Sequence, residues 1–132
     1  MGSLSDEHGQ AILAVVLALG IAATAIVGLR AAQERIVMGA RAQRAGEAAV
    51  EAAAQAVVDV YAARPAAAKE IVLDPRVLET ARAAAEELAR ENGGRGVEQV
   101  QISCVGDRIE ARLVLSGRSH HAGFRAPECS PR

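Results

Sequence analysis

The chain has 132 residues and a formal net charge of −1, and hydrophobic residues make up 51% of it. Aromatic residues contribute only 2%, so a soluble domain built from this chain has few large side chains with which to fill a core. Charged residues of both signs are interspersed along the sequence, which argues against the basic patch of a nucleic-acid-binding protein, and we expect no nucleic-acid partner.

A short polar leader, residues 1–9, opens the chain. It reads MGSLSDEHG and contains two acidic residues and no Lys or Arg. A secretory signal peptide would begin with positive charge and would end its apolar segment at a small-residue cleavage site. The leader therefore favours retention of the following segment as a membrane anchor over its removal by signal peptidase.

An uninterrupted apolar segment, residues 10–29, follows the leader. From Ala11 onward it contains neither a charged residue nor a proline. As a helix with a rise of about 1.5 Å per residue, roughly 19 such residues cover the ~30 Å hydrocarbon core of a bilayer. We predict a transmembrane helix over residues 10–29. The alternative is a buried core helix, which would be apolar on every face and would need more surrounding chain than this protein offers.

Small residues recur along this helix and beyond it. Gly20, Thr24 and Gly28 are spaced by four, and Gly39 and Gly46 belong to a second series spaced by seven. Small residues at these spacings allow two helix backbones to approach closely. We interpret these five positions, called the small-residue seam below, as a candidate surface for packing against another helix. A chance outcome of the alanine-rich composition is the alternative.

The residues after the apolar segment are good helix formers. No helix-stopping signal occurs between Leu29 and Pro65, and this stretch is rich in Ala, Glu, Gln and Arg. We predict that the membrane helix continues as a helical stalk over residues 30–64. Residues 65–73 are then a linker, because the residue before a proline is driven out of the helical region.

A second helix is predicted at the start of a small head. Asp74 followed by Pro75 is a typical helix start, and Asn92-Gly93-Gly94 is a typical helix end. Its apolar residues form one stripe: Val77, Leu78, Ala81, Ala84, Ala85 and Leu88. We expect this stripe to cover a neighbouring element.

A β-hairpin is predicted over residues 97–115. Apolar and polar residues alternate on both sides of Gly106-Asp107, a typical two-residue hairpin turn. If Val105 faces Arg108 across this turn, the apolar side chains of both strands share one face. A third short strand is predicted around residues 123–126.

The predicted fold class is therefore α+β. A long N-terminal transmembrane and stalk helix precedes a short amphipathic helix packed on a small antiparallel hairpin or three-stranded sheet. The head spans residues 74–126, with residues 116–121 as a loop, and residues 127–132 form a tail.

The only cysteines in the sequence are Cys104 and Cys129. On the oxidising side of a membrane they would form a disulfide that ties the tail to the first strand, worth about 3 kcal/mol in the chain-entropy model. The alternative is a buried thiol at Cys104 and a free thiol in the tail. The sequence alone fits both.

No residue pattern indicates catalysis. His120-His121 and the cysteines suggest a metal site, but adjacent histidines lack the ligand spacing of zinc sites. The sequence contains no phosphate-binding glycine loop, nucleophile elbow or H-E-x-x-H motif. We expect no enzymatic activity, no metal, no cofactor and no small-molecule substrate.

The order of these features resembles the TadE/TadG-like pseudopilins, minor components of tight-adherence (Flp-type) pili in the type IV pilin-like superfamily. The resemblance rests on HGQAILAVVLALG followed by RAAQERIVMGARAQRAGEAA, and more loosely on LARENGGRGVEQVQISCVGDRIEARLVL. It implies a single-pass inner-membrane protein with an extracytoplasmic head, cleaved by a prepilin peptidase between Gly9 and Gln10. It also implies other pilin-like subunits and a pilus assembly platform as partners.

Two features differ from that family pattern. Cleavage after Gly9 would put Ala14 at the fifth mature position, where major pilins and many pseudopilins carry glutamate. Four arginines also follow the apolar segment: Arg30, Arg35, Arg41 and Arg44. The positive-inside rule alone would place the head in the cytoplasm. The functional alternative is accordingly a single-pass membrane tether or adaptor with a cytoplasmic partner-binding head.

Overall fold

The computed structural model describes the backbone of residues 4–130 and the side chains from residue 9 to residue 130. The helices are α1 (Leu4–Ala63), α2 (Ala68–Ile71) and α3 (Pro75–Glu91), and the strands are β1 (Val97–Val105), β2 (Arg108–Leu115) and β3 (Arg118–Arg125). Short 3-10 helices lie at Pro65–Ala67 and Pro127–Cys129. The long N-terminal helix, the shorter helix and the three-stranded antiparallel sheet confirm the predicted α+β class.

The chain divides into two compact units, Met1–Met38 and Gly39–Arg132. In the first unit, the described residues all belong to α1. The second unit contains the rest of α1 and every other element. It is larger than the predicted head, which starts at residue 74, because the part of α1 assigned to a stalk supplies core residues to it.

In the second unit, α1 buries one face made mostly of small residues. Ala45, Ala49, Ala53 and Val57 are fully buried in the same hydrophobic cluster as residues of α3 and the sheet. Because alanine is short, α1 approaches the surrounding elements closely, and few large side chains are needed to close the core. The opposite face of α1 is exposed and polar: Glu47, Glu51, Gln55 and Asp59.

Helix α3 begins where the sequence predicts. The Asp74 carboxylate accepts a hydrogen bond from the backbone N–H of Arg76 at 2.9 Å, and Pro75 is the first helical residue. Gly93, just after the helix end, has φ +74°, the left-handed conformation that glycine adopts most easily. The buried residues of α3 are Val77, Ala81, Ala85 and Ala89. Leu78, predicted to lie in the apolar stripe, is 37% exposed.

Removal of the Asp74 cap is expected to lower the free energy of unfolding of the second unit by about 1 kcal/mol. Asp74→Ala leaves an N–H group in the first turn of α3 without its acceptor, whereas Asp74→Ser keeps an acceptor and serves as the matched control. Thermal unfolding of the detergent-solubilised protein, followed by circular dichroism, measures both. Equal midpoints for the two variants would contradict a capping role.

The sheet has the strand order β1-β2-β3, with both pairs antiparallel. The hairpin register is confirmed: Val105 pairs with Arg108, and Cys104 pairs with Ile109. Gly106 has φ +60° at the first turn position, as a two-residue hairpin turn requires. The inward-facing residues of β2 are all buried: Ile109, Ala111, Leu113 and Leu115.

The prediction of a loop at residues 116–121 is wrong, because β3 already begins at Arg118. Ser116 and Gly117 have φ +52° and +70°. Positive φ at both central positions is the geometry of a type I′ turn, which joins two strands through only two residues. The alternation within β3 is inconspicuous in the sequence, since the inward position opposite Leu113 is a histidine, His120.

Candidate functional site

The described part of the first unit is an apolar helix whose side chains are exposed from Gly9 onward. Within the described part of the chain, α1 is the one helix that is long and apolar enough to cross a membrane, judged by length and composition. The large apolar side chains between Ile12 and Leu29 are each between 57% and 70% exposed. They occur at consecutive positions such as Ile12 and Leu13, and successive helical residues point about 100° apart, so they cover every side of the helix. This arrangement differs from the one-sided apolar stripe of a soluble surface helix.

The seam residues of the first unit have open space beside them. A Cβ atom built on Gly20 or Gly28 would lie more than 4 Å from every neighbouring atom in the part of the chain that the structure describes. The Thr24 hydroxyl lies 2.9 Å from the carbonyl oxygen of Ile21 and 3.1 Å from that of Gly20, so its proton has an acceptor inside the helix. A threonine bonded in this way leaves no unsatisfied donor in an apolar environment. These three positions form a smooth, accessible strip.

The seam residues of the second unit differ from each other. Gly39 also has open space around it. Gly46, in contrast, lies against the imidazole ring of His120, and a Cβ atom on Gly46 would overlap three atoms of that ring. The Gly46 position is therefore occupied by a side chain of this same chain and is not available to another helix. This contact is not predicted from the sequence, where residues 116–121, including His120, are expected to form a loop.

The two adjacent histidines have different environments. His120 is 6% exposed, and among the described residues its Nε2 atom has no hydrogen-bond partner. His121 is exposed and pairs with Arg112 of β2, on the opposite face of the sheet. Among the described side chains, those of residues 9–130, no group of three from His, Cys, Asp and Glu is arranged to hold a metal ion.

Cys104 and Cys129 are joined by a disulfide, with Cα atoms 5.4 Å apart. Cys104 lies in β1, and Cys129 ends the 3-10 helix that follows the sheet. The segment predicted as a tail is thus fixed to the head as far as residue 130. A backbone hydrogen bond of 2.7 Å from the N–H of Ala126 to the carbonyl oxygen of Asp107 holds the residue just before this segment against the hairpin turn.

The tail also contacts the end of α1. The Tyr61 hydroxyl donates a hydrogen bond to the Glu128 carboxylate, and the Tyr61 ring packs on Phe124 with centroids 5.3 Å apart. The hydrogen bond from Tyr61 lowers the pKa of Glu128 below its ordinary value, and the same bond raises the pKa of Tyr61. This pair stabilises the fold above the ordinary pKa of a glutamate, and the contribution is lost as the pH falls through the lowered pKa.

The Tyr61→Phe variant is expected to raise the pKa of Glu128 toward that of an exposed glutamate, because the donor that favours the carboxylate is gone. An NMR titration of the side-chain carboxyl groups in the detergent-solubilised protein measures this change. The remaining carboxyl resonances, recorded in the same spectra, serve as the internal control. An unchanged Glu128 titration would show that the hydrogen bond is absent in solution.

The predicted cleavage position lies within α1. The helix begins at Leu4, so the bond between Gly9 and Gln10 is helical, and both residues are exposed. Residues 1–3 of the predicted leader lie outside the described residues.

Comparison with known proteins returned no similar family model, curated protein or solved structure.

Proposed function

We propose that this protein is a membrane-anchored, pilin-like structural or assembly component of a tight-adherence pilus or a related secretion system. The observation that supports the proposal is the first unit, where apolar side chains face outward on all sides of α1. Exposure of such a surface to water is unfavourable, whereas lipid tails or neighbouring apolar helices remove it from water. The protein acts through helix packing and not through catalysis.

The disulfide in the second unit supports an extracytoplasmic location for the head. Disulfides persist in oxidising compartments and are rare in the cytosol. The Cys104–Cys129 bond therefore favours the outer side of the inner or cytoplasmic membrane. The resemblance of the sequence to TadE/TadG-like pseudopilins implies the same location.

Assembly would use the open strip at Gly20, Thr24 and Gly28. Because all three residues are small and exposed, and no described atom lies within 4 Å of a Cβ built at either glycine, another pilin-like helix can approach α1 closely along this face. Other pilin-like subunits and the assembly platform are the expected partners.

The alternative function is a membrane tether with a cytoplasmic, partner-binding head. The arginines that follow the apolar segment favour this alternative, since loops on the cytoplasmic side of membrane spans carry an excess of positive charge.

Labelling of the reduced cysteines with a membrane-impermeant maleimide in right-side-out vesicles distinguishes the two functions. Labelling before membrane lysis supports the external head, and labelling only after lysis supports the tether.

Membrane insertion itself is tested by fractionation. We expect the full-length protein to remain with membranes after carbonate washing and to require detergent for extraction. A protein that stays soluble and monodisperse without detergent would contradict the proposal.

Mass spectrometry of the extracted protein reports whether the leader is removed after Gly9, and an intact leader would exclude cleavage there.

The packing strip is tested by co-purification of pilin-like subunits from the native membrane. Gly20→Leu/Gly28→Leu is expected to reduce the yield of such subunits at least tenfold, because leucine side chains keep the two backbones apart. Ala18→Leu/Ala22→Leu places the same bulk on the opposite side of α1 and is the matched control. Equal losses in both variants would contradict a specific packing face.

A further inference from the structure

The first charged residues after the apolar segment have exposed side chains. Arg30, Glu34 and Arg35 are all exposed on α1. The ion pairs found among the described residues involve neither arginine. Two guanidinium groups are thus available to an external anion, and Glu34 is the one acidic residue near them.

Their position along the helix matches the headgroup layer of a bilayer. Arg30 directly follows Leu29, the last residue of the apolar segment, and Arg35 lies about 7.5 Å beyond Arg30 along the helix axis at a rise of ~1.5 Å per residue. The polar headgroup layer adds roughly 5–7 Å on each side of the hydrocarbon core. Because arginine side chains are long and flexible, both guanidinium groups reach the phosphate level.

The angle between the two arginines indicates the kind of partner. Five residues of an α-helix separate side chains by about 140° around the axis. A single neighbouring helix faces one of these directions but not both, whereas lipid headgroups surround the helix on all sides. The three residues after Arg35 are apolar, and their side chains are well exposed: Ile36 at 71%, Val37 at 47% and Met38 at 62%. Exposed apolar side chains next to arginines are expected for a segment at the membrane interface.

We infer that Arg30 and Arg35 bind the phosphate groups of anionic phospholipids where α1 leaves the bilayer. Guanidinium groups bind phosphate through two parallel hydrogen bonds, which a lysine does not provide. The inference rests on the proposed membrane anchoring, but it holds for either orientation of the head, because both leaflets present phosphate groups. Arg41 and Arg44 belong to the second unit and take no part in it.

The test uses the full-length protein in bilayers of equal parts phosphatidylglycerol and phosphatidylcholine. After mild detergent extraction, lipid mass spectrometry gives the ratio of the two lipids that remain bound. We expect phosphatidylglycerol to be enriched by up to about 25-fold, because each of the two arginines contributes roughly fivefold near an anionic surface. Arg30→Gln/Arg35→Gln should bring the ratio close to one, and Glu34→Gln should raise it above the wild-type value.

The matched control removes two exposed arginines of α3. Arg76→Gln/Arg90→Gln changes the net charge equally and is expected to keep the wild-type lipid ratio. An inserted wild-type protein that retains both lipids equally overturns the inference, and so does an equal loss of enrichment in the control. A protein that fails to enter the bilayer at all contradicts the membrane anchor instead, so the two failures are distinguishable.

Discussion

Replacement of both cysteines by alanine is expected to lower the free energy of unfolding of the second unit by about 3 kcal/mol. The disulfide closes a loop between residues 25 positions apart in the sequence, which restricts the unfolded chain. It also holds Cys129, which is buried, against the sheet. For a unit of this size, a loss of about 3 kcal/mol lowers the midpoint of thermal unfolding by roughly 12–24 °C.

Hydrogen-exchange mass spectrometry of the detergent-solubilised protein measures this loss at the amides of β2. Chemical reduction of the wild-type protein should produce a loss of similar size, since it opens the same loop without changing a side chain. If β2 exchanges equally slowly before and after reduction, the disulfide does not stabilise the head.

Introduction of a single methyl group at Gly46 is expected to cost about 2 kcal/mol of unfolding free energy. The new Cβ atom would overlap the His120 ring, which is itself buried and has little room to move. Alanine is favoured over glycine within a helix by up to about 1 kcal/mol, so a net loss in Gly46→Ala would be due to this overlap.

Two further variants isolate the contact. Gly39→Ala lies on the same helix in open space and should be neutral or stabilising by up to about 1 kcal/mol. Gly46→Ala/His120→Ala should be less destabilised than the sum of its single variants, because removal of the ring leaves room for the methyl group. Additive losses, or a stabilised Gly46→Ala, would contradict close packing at this position.

The local elements of the head were predictable because their signals are local. The Asp74-Pro75 helix start and the Gly106-Asp107 turn depend on residues next to each other in the sequence, and both appear where expected. The hairpin register followed from the turn, since a two-residue loop fixes which residues face each other.

The start of β3 was missed although a local signal was present. Ser116-Gly117 is a turn dipeptide, but the following strand has a histidine at a buried position and small residues around Gly123. The apolar alternation that would have identified a strand is therefore weak. His120 is buried because Gly46, which is distant in the sequence, leaves space for the imidazole ring.

The role of α1 in the head was also not visible in the sequence. The sequence of an alanine-rich helix face does not show whether that face is solvated or packed, because alanine is a strong helix former in both cases. Ala45, Ala49 and Ala53 became recognisable as core residues only when the sheet supplied their neighbours.

The covalent link between β1 and the end of the sheet has a consequence for proteolysis. The exposed turns at Gly106-Asp107 and Ser116-Gly117 both lie between the two bonded cysteines. A protease that nicks either turn would leave both fragments attached, so the clipped protein would migrate as one species on a non-reducing gel. Shedding of the C-terminal strand would need two separate events, a cut in the backbone and reduction of the sulfur bridge.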